Sequence, residues 1–193
     1  MPYLDIFGQI AARYDRLLPF RDGTRLRRLL GLPIAGRLLD IGGGTGRVSA
    51  AFAAETGLTV VLDESPEMLR QAVAKGLPAV CASAERLPFA DGVFQRALMV
   101  DSLHHMADAQ TSLAEACRVL CVGGAGHDAG RLVIEEPNIA HNRVRLIALG
   151  ERLLGMRSRF YRAAHLRDML RVCGARILQE EEGADVWLVA THG

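Results

Sequence analysis

No apolar run in this 193-residue chain exceeds about five residues, far short of the roughly 20 that a membrane-crossing helix takes. The start, Met1-Pro2-Tyr3-Leu4-Asp5, has neither a basic leader nor a long apolar stretch, so no secretory signal is read and a cytoplasmic location is expected. The four cysteines, Cys81, Cys117, Cys121 and Cys173, form no CxxC pair. Cys117 and Cys121 share a helix face, but no histidine pair accompanies them. Buried free thiols in a reducing compartment are expected, and no metal. There is no internal repeat and no low-complexity tract. Lysine is nearly missing: Lys75 stands against 22 arginines, a skew with little functional content of its own.

What is present describes an ordinary globular chain. Half the residues are apolar and the net charge is +1, enough for one domain over 1–193 with a real core. The charge is uneven. Residues 1–37 carry +4, 38–142 carry −6, 143–171 carry +6 and 172–193 carry −3, so two arginine-rich segments flank an acidic core. Periodicity predicts helices at 4–18, 22–30, 46–55, 66–75, 109–121, 140–154 and 163–173. It predicts strands at 37–41, 58–63, 78–81, 94–100, 131–135, 175–180 and 186–191. Ser65 suits an N-cap, Pro66 the first helical position, and Gly174 a left-handed helix end. Alternation of strand and helix implies an α/β fold: a doubly wound, seven-stranded, mostly parallel sheet. The short link Glu181-Glu182-Gly183-Ala184 between the last two strands demands an antiparallel last strand.

The chemistry sits where the first strand ends. Leu38-Leu39-Asp40-Ile41-Gly42-Gly43-Gly44-Thr45-Gly46 is a strand opening onto a glycine turn. A nicotinamide or flavin site wants GxGxxG, but the sixth position here is Arg47. The pattern is D-x-G-x-G-x-G, on Asp40, Gly42, Gly44 and Gly46. A diphosphate needs a helix N-terminus packed tightly on its strand. A cofactor with an amino-acid tail needs room, donors and an acid for its ammonium, which Asp40 can meet directly or through water. The glycines let backbone approach, and Thr45 adds a hydroxyl. Asp63, 17 residues beyond Gly46 at the end of Leu58-Thr59-Val60-Val61-Leu62, can accept both hydroxyls of a ribose and would repel a 2′-phosphate. Glu64 follows it, readable as a further cofactor contact or as a solvated acid near a helix N-terminus.

Four more segments carry a resemblance: Phe7-Gly8-Gln9-Ile10-Ala11-Ala12-Arg13-Tyr14-Asp15, Asp63-Glu64-Ser65-Pro66-Glu67-Met68-Leu69, Ala84-Glu85-Arg86-Leu87-Pro88-Phe89, and Leu103-His104-His105 with Arg118-Val119-Leu120 and Gly123-Gly124. With the glycine turn, in this order and spacing, the chain resembles the class I S-adenosylmethionine (SAM) dependent methyltransferases. Within them it is most similar to the type-11 group that includes the ubiquinone/menaquinone C-methyltransferases. The resemblance covers most of the chain. It implies a Rossmann-like sheet with SAM across the carboxyl ends of the first strands, yielding S-adenosyl-L-homocysteine. Thr45 and the glycines would hold the methionine part and Asp63 the ribose. Met68 would pack on the adenine, with Ser83 and Ala84 near its polar edge. The Val100 carbonyl would face the ammonium, and Tyr14 would close the N-terminal helix over the cofactor. Position 83 is often an acid in this family, and serine accepts more weakly. The glycine-rich stretch 123–130 is longer than the family's turn; it precedes a strand, so a loop is expected rather than a phosphate cradle.

Methyl transfer asks for alignment and exclusion of water, and orientation alone can supply on the order of 7–11 kcal/mol. An oxygen or carbon acceptor also needs a base in some cases. His104 and His105, just past the fourth strand, are the candidates; the competing reading is that they pack or cap a short helix. No Asn/Asp-Pro-Pro-aromatic motif follows that strand, so a small-molecule acceptor is expected rather than nucleic acid. Residues 1–35 and 136–162 are expected to cover the site. Their arginines and interleaved leucines suit an anionic or amphipathic acceptor, and equally a solvated helix face; peripheral membrane contact stays open. Two other readings remain: a non-catalytic SAM-binding or partner-binding protein, and a nucleotide-cofactor oxidoreductase. The acceptor and the oligomeric state are not encoded in any motif.

Overall fold

The structure is a computed structural model in which residues 6–20, 23–123, 129–153, 155–156 and 158–192 are described. Two helices come first, α1 (Ile6–Leu17) and α2 (Thr24–Leu30). Then follow β1 (Arg37–Ile41), β2 (Leu58–Asp63), α3 (Pro66–Ala74), β3 (Ala79–Cys81) and β4 (Arg96–Val100). The chain continues through α4 (Ala109–Arg118), β5 (Arg131–Pro137), α5 (Asn142–Leu153), α6 (Ala163–Val172), β6 (Ala175–Glu182) and β7 (Asp185–His192). The strands form one seven-stranded sheet in the order β3-β2-β1-β4-β5-β7-β6. β1 to β5 pair in parallel, and β7 runs antiparallel to both its neighbours. The expected architecture is therefore the observed one. The starts of the first two predicted helices, the end of the one predicted to run to 154, and most of the glycine-rich stretch 123–130 lie outside the described residues.

Alternation along the central strands builds two cores. Leu39 and Ile41 face one side of the sheet with Ala97, Met99, Leu132 and Ile134, and there they meet Leu113 and Ala116 of α4 and Leu166 and Leu170 of α6. Leu38, Leu98, Val133 and Val189 face the other side, against Leu26, Leu29 and Leu30 of α2. Both faces being covered explains why these strands read as unbroken apolar runs. Side chains two apart along a strand share a face, so Asp40 lies on the α2 side, one step beyond Leu38. β1 has β2 on one side and β4 on the other. Crossovers diverge there, and a crevice opens at the carboxyl ends of the strands.

One predicted helix is absent. Residues 46–55 form two 3-10 turns, Ser49–Ala51 and Ala53–Glu55. Ser49 and Phe52 are both buried and three residues apart. A 3-10 turn aligns positions i and i+3, which an α-helix does not do as closely. Tertiary packing thus wins over the alanine-rich helical propensity of this segment. The helix predicted to 121 ends at Arg118; beyond it Leu120 bridges Phe94 in parallel, and the Cys121 amide donates to the Phe94 carbonyl. Of the cysteines, Cys117 is buried but Cys81 is exposed, so the expectation of uniformly buried thiols does not hold.

Candidate functional site

The glycine turn is held from below. The Gly42 and Gly43 amides both donate to the Leu62 carbonyl at the end of β2. Ser102 Oγ, just past β4, donates to the Ile41 carbonyl at 3.0 Å. A Cβ at position 42 would come within 2.6 Å of Ser102, and its φ is +69°, so only glycine passes there. Asp63 spans the turn. Its Oδ2 accepts from the Gly44 amide at 2.9 Å and its Oδ1 from the Ser65 amide at 2.8 Å. Ser65 then caps α3, accepting from the Met68 amide, with Pro66 behind it as expected.

These strand ends enclose a cavity of about 550 Å³. Of the sequence-derived candidates, Tyr14, Asp40, Gly42, Gly44, Asp63, Glu64, Met68, Ala84, Val100 and His105 line it. Thr45, Gly46, Ser83 and His104 do not. Thr45 sits between left-handed Gly44 and Gly46 and, itself buried, donates its hydroxyl to Asp15 of α1 at 2.5 Å. Gly46 is a packing residue, since a Cβ there would come within 2.6 Å of Leu77. Ser83 donates its hydroxyl to Glu85. It is Glu85, two residues along, that brings a carboxylate to the cavity wall.

Three lining residues carry no role in the sequence reading, Glu85, Arg47 and Arg159, while Asp101, which follows the fourth strand, lines the mouth as its position there suggests. Arg47 served only as the residue that breaks the dinucleotide pattern. In the structure its guanidinium lies 3.5 Å from Asp101 and 5.8 Å from the ring centre of Tyr14. Asp15 was likewise missed, and the sole lysine was undervalued. Lys75 Nζ reaches the Asp15 carboxylate at 2.8 Å and the Thr45 carbonyl at 2.6 Å, tying α1, the glycine turn and the end of α3 together. No local pattern could show this, because the partners lie 30 or more residues apart.

Electrostatics separate the acids. Asp40 is 2% exposed, and burial pushes its carboxyl from 3.8 up to about 7, although Ser49 Oγ donates to it at 2.5 Å. Burial and the nearby Glu136 raise Asp101 as well. For Glu85 burial acts upward, but hydrogen bonds from Ser83 and the Asp108 backbone outweigh it and hold the carboxyl below its usual range. Tyr14 is raised by burial.

The two histidines have separated roles. His104 is buried, its Nδ1 2.5 Å from Glu136 Oε2, and its ring stacks on Phe160 at 4.6 Å. Glu136 Oε1 accepts from the Ser102 and Leu103 amides at 2.9 and 2.7 Å, so one carboxylate orders the whole bend after β4. Burial opposes the charged imidazole, but Glu136 outweighs it and raises the pKa of His104. His105 lines the cavity, its Nδ1 3.0 Å from Ser158 Oγ, and burial together with His104 pushes its pKa down to about 3.

The turn offers no α-helix N-terminus to a diphosphate, because 3-10 turns follow it. It offers instead a buried acid at the end of β1 and a second acid at the end of β2, facing one cavity. Those features and the strand order define the fold: a Rossmann-like domain of the kind seen in SAM-dependent methyltransferases. Residues 39–126 match the family model described as a methyltransferase domain. Among curated relatives, the ubiquinone/menaquinone biosynthesis C-methyltransferase UbiE of Syntrophotalea carbinolica is 40% identical over 134 residues, 62% of this chain and 56% of that protein. Malonyl-[acyl-carrier protein] O-methyltransferase of Herminiimonas arsenicoxydans is 37% identical over 122 residues, 61% of this chain and 46% of that one. The chain thus spans about half the length of these relatives. The methyltransferase solved in complex with the Trm112 activator of Haloferax volcanii superposes with a TM-score of 0.82, covering 98% of this chain and 99% of that one. At 17% identity that likeness speaks for the fold alone. By its fold and by the match of residues 39–126 to a methyltransferase domain, the chain is similar to the class I SAM methyltransferases, the ubiquinone/menaquinone C-methyltransferases among them, and S-adenosylmethionine is the cofactor that this likeness implies. Among the described residues no helix is long and apolar enough to cross a membrane.

Proposed function

We propose that the chain transfers a methyl group from SAM to an oxygen, carbon or nitrogen atom of a small anionic or amphipathic molecule. The observation that carries this reading is the pair of strand-end acids, Asp40 and Asp63, facing one 550 Å³ cavity beside a glycine turn with no helix dipole. The residues present fit the cofactor. Asp40 and the Val100 carbonyl would receive its ammonium, with Arg47 beside them for its carboxylate. Asp63 would receive the ribose hydroxyls, Met68 and Ala84 would contact the adenine, and Glu85 would take the acceptor role at the adenine edge that Ser83 leaves. When bound, the cofactor supplies a methyl made electrophilic by its sulfonium. The protein's own work is then to orient an acceptor and keep water out.

The acceptor would enter where His105, Met106 and Arg159 line the cavity. At neutral pH His105 is uncharged and, with a pKa of about 3, a weak base, so it positions an acceptor rather than deprotonating it. His104 is held inside, against Glu136, and shapes the bend. Arg159 and the arginines of α5 beside exposed Leu146, Leu149 and Leu153 support an acceptor with an anionic head and an apolar body. Segments 1–35 and 136–162 cover the site in this reading, with Tyr14 and Arg159 as their contributions to the cavity wall.

Calorimetric titration with S-adenosylhomocysteine and, in parallel, NADH tests the assignment. Binding of the first and not the second is expected. Binding of NADH alone would replace the methyl-transfer reading with an oxidoreductase. Screening quinol-like and carboxylic acceptors with labelled SAM then separates an enzyme from a protein that only binds the cofactor.

A further inference from the structure

We infer that His104, His105 and Glu151 form a binding site for a divalent first-row transition metal on the acceptor side of the cavity. Each of the three offers one ligand atom, and the three atoms lie within 4.8 Å of one another. Two imidazoles and one carboxylate are the donor set of three-ligand zinc sites that keep a coordination position open. The sequence points to no metal, because it brings no cysteine pair together; this site is built instead from a histidine pair and a helix 46 residues downstream.

Three further observations support the assignment. Glu151 Oε2 is buried and has no hydrogen-bond partner, an arrangement costly for a carboxylate oxygen unless a cation or donor meets it. Both imidazoles already carry an oxygen partner on Nδ1, Glu136 for His104 and Ser158 Oγ for His105. Metal-bound histidines have this outer partner almost without exception, because it sets the tautomer and aims Nε2 at the ion. Glu136 is itself fixed by the Ser102 and Leu103 amides, and Phe160 stacks on His104 and shields it, so the support is rigid and partly dry.

The geometry asks for a modest contraction. Ligands about 2.1 Å from a tetrahedral ion stand roughly 3.4 Å apart, so the three side chains would draw in from their present spacing. Glu151 can supply this by a rotamer change on α5. His105 lines the cofactor cavity, so the open coordination position would face the space beside it, where an oxygen donor of a second molecule completes the shell.

Cobalt(II) is the probe, because its visible absorption reports nitrogen and oxygen coordination directly. Protein treated with chelator and dialysed is titrated with Co²⁺, followed by competition with Zn²⁺. One equivalent bound, with an intense visible band that Zn²⁺ erases, is expected. Glu151→Gln should lose the band or weaken Co²⁺ binding at least tenfold while keeping the wild-type circular dichroism, and Glu136→Gln should weaken it by about 10–100-fold. Absence of a band in the wild type, or an unchanged band in Glu151→Gln, overturns the site. Titration of the same metal-free protein with S-adenosylhomocysteine reports on the methyl-transfer reading separately, so either can fail alone.

Discussion

Replacing Asp40 by asparagine keeps the side chain's shape and the oxygen that Ser49 Oγ meets, and removes a charge that the fold holds at a cost. The carboxyl of Asp40 is pushed from 3.8 to about 7 by burial, with Asp63 adding to the rise and Ser49 and Arg47 opposing it. The folded state therefore keeps this proton where the unfolded chain releases it. Between those two values the native protein binds more protons, so this group makes stability fall as pH rises, and above about pH 7 the full penalty is present. At ~1.4 kcal/mol per pH unit the penalty is on the order of 4 kcal/mol at pH 8 and on the order of 2 kcal/mol at pH 5. Asp40→Asn is thus expected to be more stable than the wild type, by a margin that widens by roughly 2–3 kcal/mol between those pH values. Urea unfolding of both proteins across that range measures the margin. Other titrating groups, such as Glu135 with its pKa raised to about 8, are common to both and cancel. The same variant should bind S-adenosylhomocysteine much more weakly, because the negative partner for an ammonium is gone. In the wild type, affinity should drop as pH falls below about 7, since the carboxyl must then give up its proton to act. A pH-independent margin, or a variant less stable than the wild type at pH 8, would refute the account of Asp40 as a strained acid kept for its ligand.

Asp63→Ala removes the acceptor of two backbone amides as well as the proposed ribose contact, so it should weaken S-adenosylhomocysteine binding by more than about tenfold and lower stability by ~1–3 kcal/mol. Unchanged calorimetric affinity in that variant would remove the ribose assignment. Gly46→Ala must adopt a φ near +68° and press a methyl into Leu77, and should cost on the order of 3 kcal/mol in denaturant unfolding. Lys75→Met breaks the tie between Asp15 and the glycine turn, so limited proteolysis within residues 6–20 should accelerate severalfold. Equal cleavage rates would mean that α1 is anchored by other contacts.

Much of this was readable in the residues alone, for reasons of local physics. Unbroken apolar runs, buried on both faces, mark the parallel strands. Ser65-Pro66 starts α3 because a serine cap and a proline at the first helical position satisfy the chain locally. Gly174 ends α6 in the left-handed region that suits glycine. The short hairpin link, Gly183-Ala184 between the strands as formed, forces β7 to run against β6. Asp40 and Asp63 stand at strand ends, and strand ends in such a sheet face the crevice whatever the loops do.

What only the tertiary structure decided is which way individual side chains turn and which distant groups meet them. Residues 46–55 read as a helix until Ser49 and Phe52 both had to point inward. Thr45 carries the right hydroxyl for a ligand, yet it spends it on Asp15, 30 residues earlier. Ser83 stands at the expected place, but Glu85 brings the charge to the wall. His104 and His105 are adjacent in the chain and part ways: one is locked to Glu136, 32 residues on, and the other faces the cavity. Glu151 joins them from a helix that no motif links to β4. Periodicity and turn chemistry act over a few residues and so can be read along the chain. Charge burial and hydrogen-bond partners are set by neighbours in space, and those exist only once the sheet has closed around its crevice.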